Sequence, residues 1–428
     1  MVDSRALHDH AAVRGYVEQI CFKTGPPRVV GAELEWLVAD PRRPDQPVPI
    51  DHLRDVLNRA GPFPGGSTAT FEPGGQVELS SPPLNLSACW HAVDADVGHL
   101  RHALRDAGFS LVPSAIDPCR QPYRQINHPR YDAMEAYFDR RGHRGRVMMC
   151  STASIQINLD AGADRADVAR RWHLLNAVGP AMVAAFANSP MHAGRVTGWK
   201  STRQAVWQLL DPPRTRQPPG PDPAGAWTRY LLDAPLMLLR TGEPPWTPDP
   251  GVTFGAWMNA STAGTNGDGV STLPSLASLS LPPSQDDLDY HLTTLFPPVR
   301  PRGWLEIRYV DTQAPEFWAV PVAVLTALVG VPWAGEIAMA AAEPVTGAWL
   351  DAARHAMDHP GLARAARTCF DAAVAALPTI GADPRLVALV ESFLERYVAQ
   401  ARCPADDARA GTPSVTAAVP VTESEELT

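Results

Sequence analysis

Apolar residues follow two different periods along this chain, and the two alternate. Leu7, Val13, Val17 and Ile20 repeat at helical spacing and predict a helix over 5–22. Residues 28–38 read RVVGAELEWLV, a strand rich in β-branched and aromatic side chains. A short amphipathic helix is predicted over 51–60, and 68–80 (TATFEPGGQVELS) reads as two strands about a Pro-Gly-Gly turn. Trp90, Val93, Val97, Leu100 and Leu104 predict a long helix over 86–108. Residues 147–159 (VMMCSTASIQINL) read as a strand region, 164–187 as a long apolar helix and 304–311 (WLEIRYVD) as a strand. From 315 to 400 the pattern is helical, with breaks at Pro332, Pro344, Pro360, Pro378 and Pro384. Helices and strands interleave without an internal repeat. The expectation is an α+β fold: a cup-shaped, mainly antiparallel sheet with helices on its outer face.

The polar positions of the strands are more informative than the apolar ones. Glu33 and Glu35 lie two apart and share a strand face, while Val30, Leu34 and Trp36 turn the other way. Gln76 and Glu78 share a face, and the turn brings Glu72 back toward them. Ser154, Gln156 and Asn158 alternate with Ile155, Ile157 and Leu159; Glu306 and Arg308 share the last strand's face. Each pattern alone fits an ordinary solvated face. Four together suggest one sheet with an apolar underside and an oxygen-rich cup. Oxygen ligands without histidine or cysteine favour a hard cation such as Mg²⁺, which commonly accompanies ATP.

Composition narrows the classes. The 428 residues carry 37 basic and 46 acidic side chains, a net charge of −9, which disfavours nucleic acid as a partner. Only Lys23 and Lys200 are lysines, a bias that points to a GC-rich coding sequence. Six cysteines without a C-x-x-C pair make neither a disulfide framework nor a zinc ribbon. The N-terminus lacks the apolar core of a signal peptide, and the apolar run 319–331 is too short to span a bilayer. A cytoplasmic protein without a membrane role is expected. The 44 prolines cluster in 211–226, 242–251 and 259–287, read as long loops around the cup. Residues 1–403 are expected to form a single catalytic domain, and 404–428 a disordered, removable tail. Two motifs are decoys. In GRVTGWKS, Trp199 replaces the glycine that a P-loop needs before Lys200. The glycines of 264–269 neither follow a clear strand nor open a helix.

The segments VVGAELEWLV, TFEPGGQVELSSPP, MMCSTASIQINLD and HLTTLFPPVRPRGWLEIRYVD, with FANSP at 186–190 and STRQAVWQLLDPPR at 201–214, resemble glutamate–cysteine ligase. The resemblance is to the branch shared by plants and bacteria, and is best to the bacterial form that serves ergothioneine biosynthesis. It covers about residues 28–318. It implies a glutamine-synthetase-like catalytic sheet, Mg²⁺ as cofactor, and L-glutamate, L-cysteine and ATP as substrates. It implies metal ligation by Glu33, Glu35 and Glu78, with Glu72 as an additional ligand, and a bridge from metal to phosphate by Glu306. Gln156 stands where distant members carry a histidine ligand. Arg308 would meet glutamate and developing phosphate charge, Arg203 the substrate carboxylate, and Asn158 would orient the site. The reaction implied is activation of the glutamate γ-carboxylate as an acyl phosphate, then attack by the cysteine amine. A related ligase with another acceptor amine fits the same motifs; a non-catalytic binding module on the same sheet is disfavoured, because the carboxylates and both arginines are all present.

Overall fold

Alternation with period two governs the first strand, β1 (Val30–Ala39): Val30, Ala32, Leu34, Trp36 and Val38 share one face and all are buried. The computed structural model describes residue 7 and residues 9–240, 244–263 and 282–410. Helix α1 (His10–Ile20) precedes β1; α2 (Ile50–Ala60), β2 (Thr68–Phe71), β3 (Val77–Ser80), α3 (Leu86–Asp106) and β4 (Ser110–Val112) follow. Then come α4 (Pro129–Asp139), α5 (Arg144–Ser151), β5 (Ser154–Asp160) and α6 (Arg165–Phe186). The middle carries a small hairpin, β6 (Met191–His192) and β7 (Arg195–Val196). It also carries α7 (Thr202–Leu210), α8 (Pro212–Thr215), α9 (Pro223–Asp233), α10 (Phe254–Ala263) and α11 (Gln285–Leu292). Strands β8 (Val299–Pro301) and β9 (Trp304–Asp311) complete the sheet. The remainder is helical: α12 (Ala319–Gly330), α13 (Pro332–Ala342), α14 (Trp349–His355), α15 (Pro360–Ala376), α16 (Pro384–Arg396) and α17 (Pro404–Ala410).

The main sheet runs β2-β3-β1-β5-β9-β8, antiparallel throughout, with β4 paired to the far end of β1. The fold is α+β. The sheet's apolar face, including Leu34, Leu79, Ile157 and Ile307, packs into one large core with α3, α6, α12 and α15. Each such side chain stabilises the fold by roughly 1.5–3 kcal/mol on burial. A second, smaller core joins Met134, Phe138, Val147, Met148, Met149 and Val206 of α4, α5 and α7. It roofs the polar face and leaves a cavity between.

Three expectations change. Residues 147–151, read as strand, form the end of α5. An unbroken apolar run does not separate a buried helix from a strand. Thr152 closes the helix by donating its hydroxyl to the Met148 carbonyl at 2.7 Å. The prolines mark helix starts as much as loops: Pro212, Pro223, Pro332, Pro360, Pro384 and Pro404 each open a helix, where a missing N–H costs nothing. Much of 211–226 is therefore helical, whereas 264–281, with the glycines of 264–269, lie outside the described residues. The stretch from Pro404 opens with α17; residues 411–428 lie outside the described residues. Among the described residues no single helix is long and apolar enough to cross a membrane.

Candidate active site

The pairing register brings the carboxylates together. Glu35 of β1 lies directly opposite Glu78 of β3, so their side chains leave the same face side by side. Glu78 accepts hydrogen bonds from the Thr70 and Ser80 hydroxyls, both at 3.0 Å. Glu35 accepts from the Ser154 N–H and hydroxyl at 2.8 and 3.0 Å, and from the Gln156 amide at 2.9 Å. Glu72 directly follows β2, and the turn that returns it is tightly built. A Cβ on Gly74 would lie 2.1 Å from the Cys150 carbonyl oxygen, and Gly75 adopts φ 87°. Gln125 donates to the Gly74 carbonyl at 2.9 Å, and Gln76 to the Thr152 carbonyl at 2.8 Å. The Pro-Gly-Gly turn is thus clamped onto the end of α5, which fixes Glu72.

One carboxylate oxygen from each of Glu35, Glu72 and Glu78 lies within 4.8 Å of the others. Burial, reinforced by the neighbouring carboxylates, pushes Glu72 up to about 8. Burial likewise raises Glu35 and Glu78. Three converging carboxylates need protons or a cation to offset their repulsion. The donor set, all hard oxygen and no thiolate or imidazole, fits Mg²⁺.

Strand β9 builds the opposite half. Glu306 is fully buried and gripped by arginines: Arg300 Nε at 2.6 Å, Arg308 Nη1 at 2.8 Å and Arg302 Nη1 at 3.0 Å. Burial alone would raise its pKa, but Arg300 and Arg308 outweigh burial and hold it well below the usual carboxylate range. Glu306 therefore anchors an arginine cluster and stands apart from the Glu35–Glu72–Glu78 group. Gln156 links the halves: its amide nitrogen donates to Glu35 and its oxygen accepts from Arg308. In this arrangement both ends of the Gln156 amide are engaged, so the side chain bridges Glu35 and Arg308. Glu33 also stands outside the three-carboxylate group; Asn158 donates to it at 2.9 Å and accepts from Trp304 Nε1 at 2.9 Å. Asn158 thus orients Glu33.

Arg203 enters from α7, whose N-terminus Ser201 caps. It is 2% exposed and donates to the Arg308 carbonyl at 2.7 Å. Asp311, which accepts from the Asn188 N–H and the Ser189 and Ser201 hydroxyls, lies 3.7 Å from Arg203 Nη1. Arg203 Nη1 and Arg308 Nε are buried without a hydrogen-bond partner. Both guanidinium groups lie over Trp207, at 5.8 and 5.7 Å from its ring centre. Unsatisfied buried donors of this kind are costly unless an anion completes them.

The cavity measures about 300 Å³ and is bordered by Glu35, Glu72 and Glu78 on one side and Arg203, Arg300 and Arg308 on the other. Larger hollows of about 620 and 690 Å³ lie elsewhere; charged side chains of the first, Arg14, Glu18, Arg165 and Asp222, pair with one another. Arg300, Arg302 and Trp207 were not singled out from the sequence. Arg300 pairs across strands with Glu306, a relation that only the register reveals. Lys200 of the P-loop decoy is buried against Asp358 and Asp406 at 2.7 and 2.8 Å, a structural role.

Comparison with known proteins points to one family. The model of glutamate–cysteine ligase family 2 matches residues 29–413. The chain is 40% identical over 418 residues to a glutamate–cysteine ligase EgtA of Mycobacterium tuberculosis, covering 95% of this chain and 91% of that protein. It is 42% identical over 399 residues to EgtA of Mycolicibacterium smegmatis, covering 90% and 88%. A chloroplastic glutamate–cysteine ligase of Brassica juncea is 30% identical over 269 residues, 59% of this chain and 49% of that protein. The chain belongs to glutamate–cysteine ligase family 2 and is a ligase.

Proposed function

We propose that the protein joins the γ-carboxylate of L-glutamate to the amine of L-cysteine with cleavage of ATP. The observation that carries this reading is the division of one cavity into a carboxylate half and an arginine half. Amide formation from free carboxylate and amine is uphill in water, so the carboxylate is activated first. Its oxygen attacks the γ-phosphorus, the bond to ADP breaks, and γ-glutamyl phosphate forms. The cysteine amine then attacks the acyl carbon, phosphate leaves with the original carboxylate oxygen, and the amine's surplus proton passes to solvent.

Phosphoryl transfer requires positioning and charge compensation rather than an enzyme nucleophile. Arg203 Nη1 and Arg308 Nε, both lacking a hydrogen-bond partner, supply fixed donors for the glutamate carboxylate and the transferring phosphoryl group. Glu306 holds Arg300, Arg302 and Arg308 in place, so that they need no reorganisation during reaction. Glu35, Glu72 and Glu78, with Glu33 beside them, would hold Mg²⁺. When bound, the cation offsets triphosphate charge and polarises its oxygens. We place the product in the supply of ergothioneine precursors, a reading supported by the likeness to mycobacterial EgtA.

Glutamate labelled with oxygen-18 in its γ-carboxylate tests the mechanism. One label per turnover should appear in released phosphate when cysteine is present. Unlabelled phosphate would exclude an acyl phosphate.

A further inference from the structure

Two residues of the segment 201–214 belong to neither half of the cavity. Asp211 and Arg214 flank the prolines of LDPPR, and both are fully buried. Pro212 and Pro213 open α8 with fixed φ, and the tight turn sets Arg214 Nε 3.1 Å from Asp211. Asp211 also accepts from the Tyr137 hydroxyl at 2.7 Å and from Arg141. Arg214 Nη2 donates to the Pro235 carbonyl. The other bonds of Arg214 lead toward the site. Its Nη1 donates to the Thr294 carbonyl at 2.7 Å and hydroxyl at 3.0 Å, and its own carbonyl accepts from the Phe296 N–H at 3.0 Å. Thr294 and Phe296 lie in the stretch 293–298, which joins α11 to β8 without helix or strand. Pro297 and Pro298 have no N–H to give, so neighbouring residues must hold the stretch in place. The Leu295 carbonyl accepts from Arg300 Nη1 at 3.2 Å, and the Pro298 carbonyl from the Arg308 N–H at 2.9 Å. Phe296 borders the cavity, with its ring centre 5.6 Å from that of Trp207.

We propose that Arg214, held by Asp211, is a positioning residue for the reaction: it fixes Thr294 and Phe296, and with them the Leu295 carbonyl that aligns Arg300. The proposal rests on the ligase reading above. Arg214 does not border the cavity, so it acts through the stretch it grips. Thr294 and Phe296 flank Leu295, and bonds on both flanks leave the carbonyl between them little freedom. Glu306 holds Arg300 Nε and Nη2, at 2.6 and 3.1 Å, whereas Nη1 has the Leu295 carbonyl. The Arg300 fork is therefore aimed only when residues 294–296 are in place. Arginine suits the task because its planar fork meets Asp211, Thr294 and Pro235 in fixed directions, which a lysine ammonium cannot reproduce. Misplacing a group at a reacting centre by about 1 Å costs roughly a hundredfold in rate. A buried hydrogen bond lost away from the site costs stability alone.

The test sets two matched threonines side by side. Thr294→Val keeps the volume but removes the hydroxyl that receives Arg214 Nη1 and donates to the His291 carbonyl at 2.7 Å. Thr215→Val removes a hydroxyl that donates to the Asp211 carbonyl at 3.0 Å, on the same turn but away from the stretch. Both should lower the melting temperature. Per folded molecule, Thr294→Val should lower kcat for cysteine-dependent ADP release about tenfold and Arg214→Lys about a hundredfold, with KM values for ATP, glutamate and cysteine unchanged. Thr215→Val should leave kcat unchanged. The double variant Arg214→Lys with Thr294→Val should lose little more kcat than Arg214→Lys alone, because one path carries both effects. An unchanged kcat in Thr294→Val, an equal loss in Thr215→Val, or additive losses in the double variant would overturn the assignment. If Arg214→Lys does not fold, the two threonine variants decide. If the unaltered chain releases no ADP with glutamate and any acceptor, the ligase reading itself fails; if it does release ADP, the comparison of Thr294→Val with Thr215→Val judges the positioning role alone.

Discussion

At the scale of single residues, the site is a charge-balance problem. Glu72, raised to about 8 by burial and by Glu35 and Glu78, holds a proton at neutral pH that an unfolded chain would have released near its ordinary value. The native state therefore binds more protons than the unfolded state between about pH 4.5 and 8. Without a divalent cation, stability should fall as pH rises through that window. Mg²⁺ must displace the proton, so its affinity should rise with pH up to about 8. Thermal unfolding at pH 6 and 8, with and without Mg²⁺, checks both signs: the gain from Mg²⁺ should be larger at pH 8. Replacing Glu35 or Glu78 by glutamine should lower turnover by a factor of about a hundred, equivalent to ~3 kcal/mol of lost charge stabilisation, with little change in melting temperature. ADP release and calorimetry on each variant provide the measurement. These carboxylates were legible in the sequence because period two assigns a strand residue to a face. Arg300 was not, because its partnership with Glu306 depends on which residues of β8 and β9 lie opposite one another. Gln156 was legible as a site residue but not as a bridge, since only the positions of Glu35 and Arg308 show which end of its amide each one meets.

At the scale of elements, the β2–β3 turn does more than reverse the chain. Gly74 lets the turn meet the carbonyl at the end of α5, and a Cβ there would sit 2.1 Å from the Cys150 oxygen. Gly74→Ala should force the turn away from α5 and carry Glu72 with it. We expect a stability loss of about 1–3 kcal/mol, measured by denaturant titration, together with weakened Mg²⁺ binding. The EPGGQVE motif was readable as a hairpin, but the reason for its first glycine was not, because α5 was read as strand. Met148, Met149 and Cys150 present no alternation, and tertiary packing against α4 and α7 decides in favour of helix. Strand β9 was readable to the residue, since polar and apolar positions alternate along most of WLEIRYVD.

At the scale of the molecule, the helical C-terminal part from α12 onward shares the core beneath the sheet, and its last described helix is tied into it. Asp406 of α17 holds buried Lys200, Asp407 engages Arg396 and Tyr397, and the Ala405 N–H donates to the Ala187 carbonyl. Ending the chain at residue 403 should therefore cost about 1–3 kcal/mol through the partner lost to Lys200, whereas ending it at 410 should preserve melting temperature and turnover. Paired thermal melts of the two truncations decide this. The polar composition from 404 onward hides α17 in the sequence, because its contacts are ion pairs rather than an apolar stripe. Net charge carries a similar lesson: −9 overall disfavours nucleic acid, yet one cavity gathers arginines against its carboxylates, so the local balance of charge differs from that of the whole chain. Incubating the purified chain with Mg²⁺, ATP and glutamate, and assaying ADP with cysteine, with alanine and with no acceptor, tests the assigned reaction most directly. The account predicts cysteine-dependent ADP release matched by γ-glutamylcysteine. ADP release with cysteine no greater than with alanine or no acceptor would contradict it.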